Sequence, residues 1–234
     1  MPNGLRHRSG RRRDDWTALI KFSQADGQRS GEGPGGHDED EGLCGAQNRE
    51  GAAAAVTYPQ EMSPPLAQTM WEVVSPSSER ARRALWSYIE DIASRYYGWP
   101  ATAAEVEAAL RDDPSEDLTQ PTGLFLVAQQ NHKIVACAGL RLLPGTVGKV
   151  TRVHVVRAAR GRGLGARLMG ELERLAYQHG RSRLRLDTRS DLMEARRLYK
   201  RLGYREVPPF NEGKYAEHWF EKTLTRPVAD LHRT

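Results

Sequence analysis

Cysteine is scarce in this chain: Cys44 and Cys137 are the only two. Their surroundings are too different to suggest a disulfide framework, so a reduced, cytoplasmic protein is expected. Long apolar runs are missing as well. No stretch approaches the ~20 residues of a membrane-spanning helix. The apolar stretch at residues 16–22 is short and follows Asp14 and Asp15, which argues against a secretory leader. No Gly-Lys-Ser/Thr run occurs, which excludes the familiar nucleotide-binding P-loop. Basic runs interleaved with aromatics are absent too, so no nucleic-acid partner is expected, although Arg11–Arg13 and the basic balance make such a binder a rival reading.

What is present is unevenly distributed. Residues 1–61 hold 8 basic and 10 acidic side chains, and the remainder holds 27 and 20, so the positive charge belongs to the later part. A basic surface attracts polyanions, among them phosphate-rich ligands. Residues 1–65 contain an arginine triplet, a glycine-rich run at 31–36, an acidic run at 38–41 and an alanine run at 52–55. They show no lasting apolar period and are expected to be a disordered extension. Met62 and Met70 stand where the composition becomes globular, so a downstream start is an alternative reading of that segment. Residues 70–225 are expected to form the domain, and 226–234 a tail.

Within the domain, elements alternate. Residues 71–74 read as a short strand, and Ser75–Pro76 as the start of a helix carrying Ala81, Leu85, Ile89, Ile92 and Tyr96 at helical spacing. Thr102 and Glu105 form a capping-box pattern for a second helix. Apolar strands follow at 124–128, 134–142 and 147–156, separated by turns at 131–133 and 144–145. A helix over 164–179 places Leu164, Leu168, Leu172 and Leu175 on one face, and Gly180 ends it. A strand at 184–187, a helix at 191–202, and strands at 204–207 and 219–224 complete the domain. The order β-αα-βββ-α-β-α-ββ predicts an α+β fold with helices around a mixed sheet. The step from residue 156 to 184 is expected to be a parallel crossover.

The strongest chemical signal is Arg160-Gly-Arg-Gly-Leu-Gly-Ala166, set between a strand and a strongly periodic helix. Glycines allow tight turning and close backbone approach. A helix N-terminus offers unpaired N–H groups and a positive dipole end, a ready cradle for phosphate. Arg160 and Arg162 add charge and forked donors. A dinucleotide fold would want this loop after the first strand, which the order of elements contradicts.

Two blocks carry a family resemblance. Residues 153–166, ending in Arg160-Gly-Arg-Gly-Leu-Gly-Ala166, resemble motif A of the GNAT N-acetyltransferases, Arg/Gln-x-x-Gly-x-Gly/Ala. Ala195-Arg-Arg-Leu-Tyr199-Lys-Arg-Leu-Gly203-Tyr204 resembles the family's motif B. The resemblance implies an acetyl-CoA-dependent transfer of acetyl to a primary amine, of a small molecule or a peptide. It implies that Val155 and Val156 contact the pantetheine arm, and that Arg160, Gly161, Arg162, Gly163, Leu164, Gly165 and Ala166 hold the pyrophosphate. Tyr199 is implied as the group that protonates the leaving thiolate, and the Val155 N–H as the partner of a carbonyl oxyanion.

The sequence also departs from the family. Lys149 occupies the position where many members place a glutamate base. His154 is a substitute, as are Glu206, Glu212, Glu217 and His218. Leu192 stands where motif B often begins with a polar residue, leaving Asp191 as a replacement. Residues 208–220 are expected to form part of an acceptor pocket, with Trp86, Tyr96, Tyr97 and Trp99 on the opposite wall. A non-catalytic acyl-CoA sensor of the same fold is the rival reading, and a homodimer stays open. No metal site is expected.

Overall fold

The computed structural model describes residues 68–213 and 215–225. The extension at 1–65 and the tail at 226–234 lie outside the described residues. Seven strands form one sheet in the order β1-β2-β3-β4-β5-β7-β6. They are β1 (Met70–Val73), β2 (Gly123–Gln130), β3 (Lys133–Leu142), β4 (Val147–Val155), β5 (Arg183–Thr188), β6 (Arg205–Val207) and β7 (His218–Thr223). The helices are α1 (Glu79–Tyr97), α2 (Ala103–Asp112), α3 (Leu164–Gln178) and α4 (Met193–Arg201). The chain order matches that expected from the sequence. Strands β1 to β4 are antiparallel, β4 and β5 are parallel across α3, and β5, β7 and β6 are antiparallel.

The start of α1 differs from the expected position. Ser75 does not cap it. Ser78 N–H donates to Ser75 O at 2.9 Å, which closes a turn with Pro76 in its second position, a site that suits proline's fixed φ. Ser78 is the cap, its Oγ accepting from Ala81 N–H at 3.2 Å. The Thr102–Glu105 capping box of α2 is present with both of its reciprocal bonds.

Strand β2 is buried on both faces, which explains its unbroken apolar run. Leu124 and Leu126 meet the Leu168–Leu172 stripe of α3 in one cluster. Phe125 and Val127 meet Ala81, Ala84 and Leu85 of α1 in another. The period of 2 along the strand therefore sends alternate side chains to helices on opposite sides of the sheet.

The feature that positions the site is the parting of β4 from β5. They pair only at Val147↔Arg183, Gly148↔Leu184 and Lys149↔Arg185. Beyond Lys149, β4 carries a bulge: Cys137 faces His154 and Gly139 faces Thr151, so two residues of β4 oppose Ala138. Arg152 lies in that bulge with φ of 55°, in the left-handed region. An extra residue on one strand bends it, and here the bend coincides with the opening of a gap between the two parallel strands.

Candidate active site

A cavity of about 680 Å³ fills this gap and continues between α1 and the loop joining β6 to β7. Such a volume is ordinary for a small-molecule site. Its floor and one rim are the turn from β4 into α3. Gly163 is the N-terminal cap of α3 with φ of 75°, and Gly161 has φ of 78°. A side chain at either position would be strained. The Gly163 carbonyl accepts from Ala166 and Arg167, while the N–H groups of Gly163, Leu164 and Gly165 have no partner among the described residues. These are the amides expected to be open at a helix start, and they border the cavity. Gly165 lies under α4: a Cβ there would stand 3.1 Å from Leu198 Cδ2.

The structure gathers most of the candidate binding residues. Val155, Arg160, Gly161, Gly163, Leu164, Gly165 and Ala166 line the cavity, whereas Val156 and Arg162 do not. Val156 N–H donates to Val135 O at 2.9 Å. Successive N–H groups of a strand face opposite edges, so that of Val155 is turned toward the gap. Arg160 is engaged within the protein. Its Nε donates to Val155 O at 2.8 Å and its Nη2 to Asp91 Oδ2 at 2.7 Å, which ties the loop to α1.

Tyr199 lies both in the core and on the cavity wall. Its ring packs at 5.9 Å from both Tyr204 and Phe220 in the core, and the residue also lines the cavity. Burial, followed by the influence of Tyr88 and Asp187, raises its pKa well above the ordinary phenol value. The phenol stays protonated at working pH and can only donate a proton.

His154 also lines the cavity, but both ring nitrogens face α1. Nε2 is 3.1 Å from Ser87 Oγ and Nδ1 is 3.9 Å from Asp91 Oδ2. Burial pulls its pKa down to about 4, with Arg160 and Arg95 opposing the charge and Asp91 favouring it. The imidazole is therefore neutral near pH 7. Of the other acid–base candidates, only Glu212 borders the cavity. Glu206 and His218 pair with each other at 2.6 Å, and Glu217 Oε2 accepts from Ser190 N–H at 2.6 Å. None of these three lines the cavity. Asp191 is held by Arg189 at 2.7 Å, and Leu192 caps α4 without any side-chain bond.

The opposite wall comes from a different face of α1 than expected. Tyr88, Ile89, Asp91, Ile92 and Arg95 form it, and none of Trp86, Tyr96, Tyr97 or Trp99 does. Tyr97 and Trp99 stack on each other at 5.4 Å, and Tyr96 meets Tyr215 edge-on at 5.6 Å. Aromatics draw attention in a sequence, yet of those on α1 only Tyr88 meets the cavity, beside Ile89, Asp91, Ile92 and Arg95. Lys149 is buried in the wall with Nζ 3.6 Å from Asp187 Oδ1. Arg152, in the bulge, pairs with Asp113 at 2.7 Å and lies over Tyr88 with its guanidinium 5.8 Å from the ring centre.

A mixed sheet split between two parallel strands, with open helix-start amides at the split and a protonated phenol beside it, defines an acyl-CoA-type transferase scaffold. The acetyltransferase (GNAT) family pattern matches residues 86–204, and the chain belongs to that family. It is an acetyl-CoA-dependent N-acetyltransferase. An IAA acetyltransferase of Azospirillum brasilense is 32% identical over 116 residues, which cover 48% of this chain and 73% of that protein. An uncharacterised N-acetyltransferase of Schizosaccharomyces pombe is 29% identical over 116 residues, 49% of this chain and 71% of that one. The PaiA N-acetyltransferase of Thermoplasma acidophilum, solved with coenzyme A, shares the fold at a TM-score of 0.54 and 17% identity, over 66% of this chain and 99% of that one. The residues present fit a thioester of coenzyme A: open amides suit a diphosphate, and the gap at Val155 leaves a backbone edge for an amide-bearing arm. No helix among the described residues is long and apolar enough to cross a membrane.

Proposed function

We propose that this protein moves acetyl from acetyl-CoA onto a primary amine of a small molecule or peptide by direct attack. The observation that carries this reading is the convergence on one cavity of unpartnered amides at Gly163–Gly165 and the protonated phenol of Tyr199. Acetyl-CoA, when bound, supplies an activated carbonyl carbon. In this reading the start of α3 binds the diphosphate through N–H groups and the helix dipole. The Val155 N–H, turned into the gap, stabilises negative charge that develops on the acetyl oxygen. Tyr199 delivers a proton to the sulfur. A thiol has an ordinary pKa of ~8.5, so the departing thiolate needs only modest help. Arg160, by joining Val155 O to Asp91, sets the distance between the loop and α1.

The test is a free-thiol assay of the full chain with acetyl-CoA and a panel of polyamines, amino acids, aminoglycosides and peptides. Amine-dependent thiol release is expected. Tight coenzyme A binding with no release on any amine would favour the acyl-CoA sensor instead.

A further inference from the structure

An amine in water near pH 7 is an ammonium, and it cannot attack until it has lost a proton. The cavity wall holds five carboxylates: Asp91, Asp113, Asp187, Glu194 and Glu212. Three of them are clamped by guanidinium groups. Asp91 holds Arg160 at 2.7 Å and Asp113 holds Arg152 at 2.7 Å, while Glu194 pairs with Arg95. Glu212 is exposed on the β6–β7 loop.

Asp187 is held differently. Asn211 Nδ2 donates to its Oδ1 at 2.9 Å, and Lys149 Nζ stands 3.6 Å from the same oxygen. Both contacts fall on Oδ1. Asn211 is itself fixed by Trp219 Nε1, which donates to its Oδ1 at 2.7 Å. Trp219 of β7 faces Asp187 directly in the sheet register. A neutral amide anchored by an indole therefore orients this carboxylate. Asp187 also lies on β5 past the last pair with β4, Lys149↔Arg185, in the open part of the gap. Asp187 and Tyr199 line the same cavity.

We propose that Asp187 receives the acceptor's ammonium group and takes its first proton, so that the acceptors are cationic amines approaching along the β5 side of the gap. The proposal rests on the acetyl-transfer reading given above. The ammonium must lose two protons in all. The first goes to the Asp187 carboxylate and on to solvent. The C–N bond then forms from the freed lone pair as the C–S bond breaks. The second proton reaches sulfur through Tyr199, which gives up its own and regains one from nitrogen. Acetylation removes the positive charge, so the product loses its attraction to Asp187 and leaves. His154, whose nitrogens both face α1, serves as a clamp between β4 and α1 in this scheme.

The test compares Asp187→Asn, Asn211→Leu and His154→Gln in the full chain, with the amine that the unaltered protein acetylates fastest. Asp187→Asn keeps an oxygen for the Asn211 bond but loses the charge. It is expected to lower kcat/KM for the amine about 100-fold or more, the range of general-base effects. Coenzyme A affinity, measured by calorimetry, should stay within about twofold. Asn211→Leu removes the orienting amide and leaves Lys149 on the carboxylate; it should lose about tenfold, again without loss of coenzyme A affinity, and it carries the test should Asp187→Asn fail to fold. Activity of Asp187→Asn within about threefold of the original, or a larger loss in His154→Gln, overturns the assignment. An unaltered protein that releases no thiol with any amine refutes the transfer reading itself, which is a separate result.

Discussion

Tyr199 stands at the border of core and cavity. Its ring packs in the core, and the residue also lines the cavity. Tyr199→Phe keeps the packing and removes the donor. A fall in kcat of about 10- to 100-fold is expected, with little change in KM for the amine or in melting temperature, as read from steady-state kinetics and thermal unfolding. Gly163 makes a complementary case. Its φ of 75° suits glycine, and a Cβ there would meet nothing within 4 Å. Gly163→Val therefore costs backbone strain of roughly 1–2 kcal/mol without a clash. Coenzyme A affinity should drop about tenfold or more by calorimetry as the cradle distorts. Cys137 lies at the other extreme: fully buried, its thiol is pushed up to about 12 by desolvation. Alkylating reagents should label the Cys137 peptide only after unfolding, as mass spectrometry would show.

At the scale of elements, the bulge in β4 depends on the end of α2. Arg152 adopts a left-handed conformation that costs on the order of 1 kcal/mol for a non-glycine residue. Three contacts hold it there. Nη1 pairs with Asp113 Oδ2 at 2.7 Å, Nη2 donates to Asp113 O at 3.0 Å, and Nε donates to Ser115 Oγ at 3.3 Å. Asp113 is the residue that ends α2, so helix and bulge set each other's position. Removing one member of a buried pair strands the other charge. Arg152→Met should lower stability by about 3–5 kcal/mol, and Arg152→Met with Asp113→Leu should recover part of it. Chemical denaturation of the two variants, combined as a double-mutant cycle, gives the coupling. The sequence held no sign of this pair, because its members stand far apart in the chain and each looks like a solvated charge.

For the molecule as a whole, His154 links the sheet to α1 and makes stability depend on pH. Its folded pKa, about 4, lies below the ordinary imidazole value of 6.5. The unfolded chain therefore binds a proton more readily than the folded one between those values. The stabilisation is complete above about pH 6.5 and is lost as pH falls toward 4, with an upper bound of about 3 kcal/mol. His154→Gln should flatten this part of the curve, as measured by denaturant unfolding from pH 7.5 to 4.

The amino-acid sequence alone determined the order of elements, the apolar faces of α1 and α3, the capping box at Thr102 and the glycine loop before α3. Each is a local matter: period, cap and turn chemistry act over a few residues and leave their mark in consecutive letters. Only the tertiary structure decided which residues face the cavity. It placed Tyr88 and Asp91 there rather than Trp86, Tyr96, Tyr97 and Trp99, directed both nitrogens of His154 at α1, and brought Asn211 and Trp219 to Asp187. Those relations join segments far apart in the chain through strand register and one bulge. A shift of a single residue in register turns a side chain to the opposite face of the sheet, and nothing within a short window of sequence records that choice.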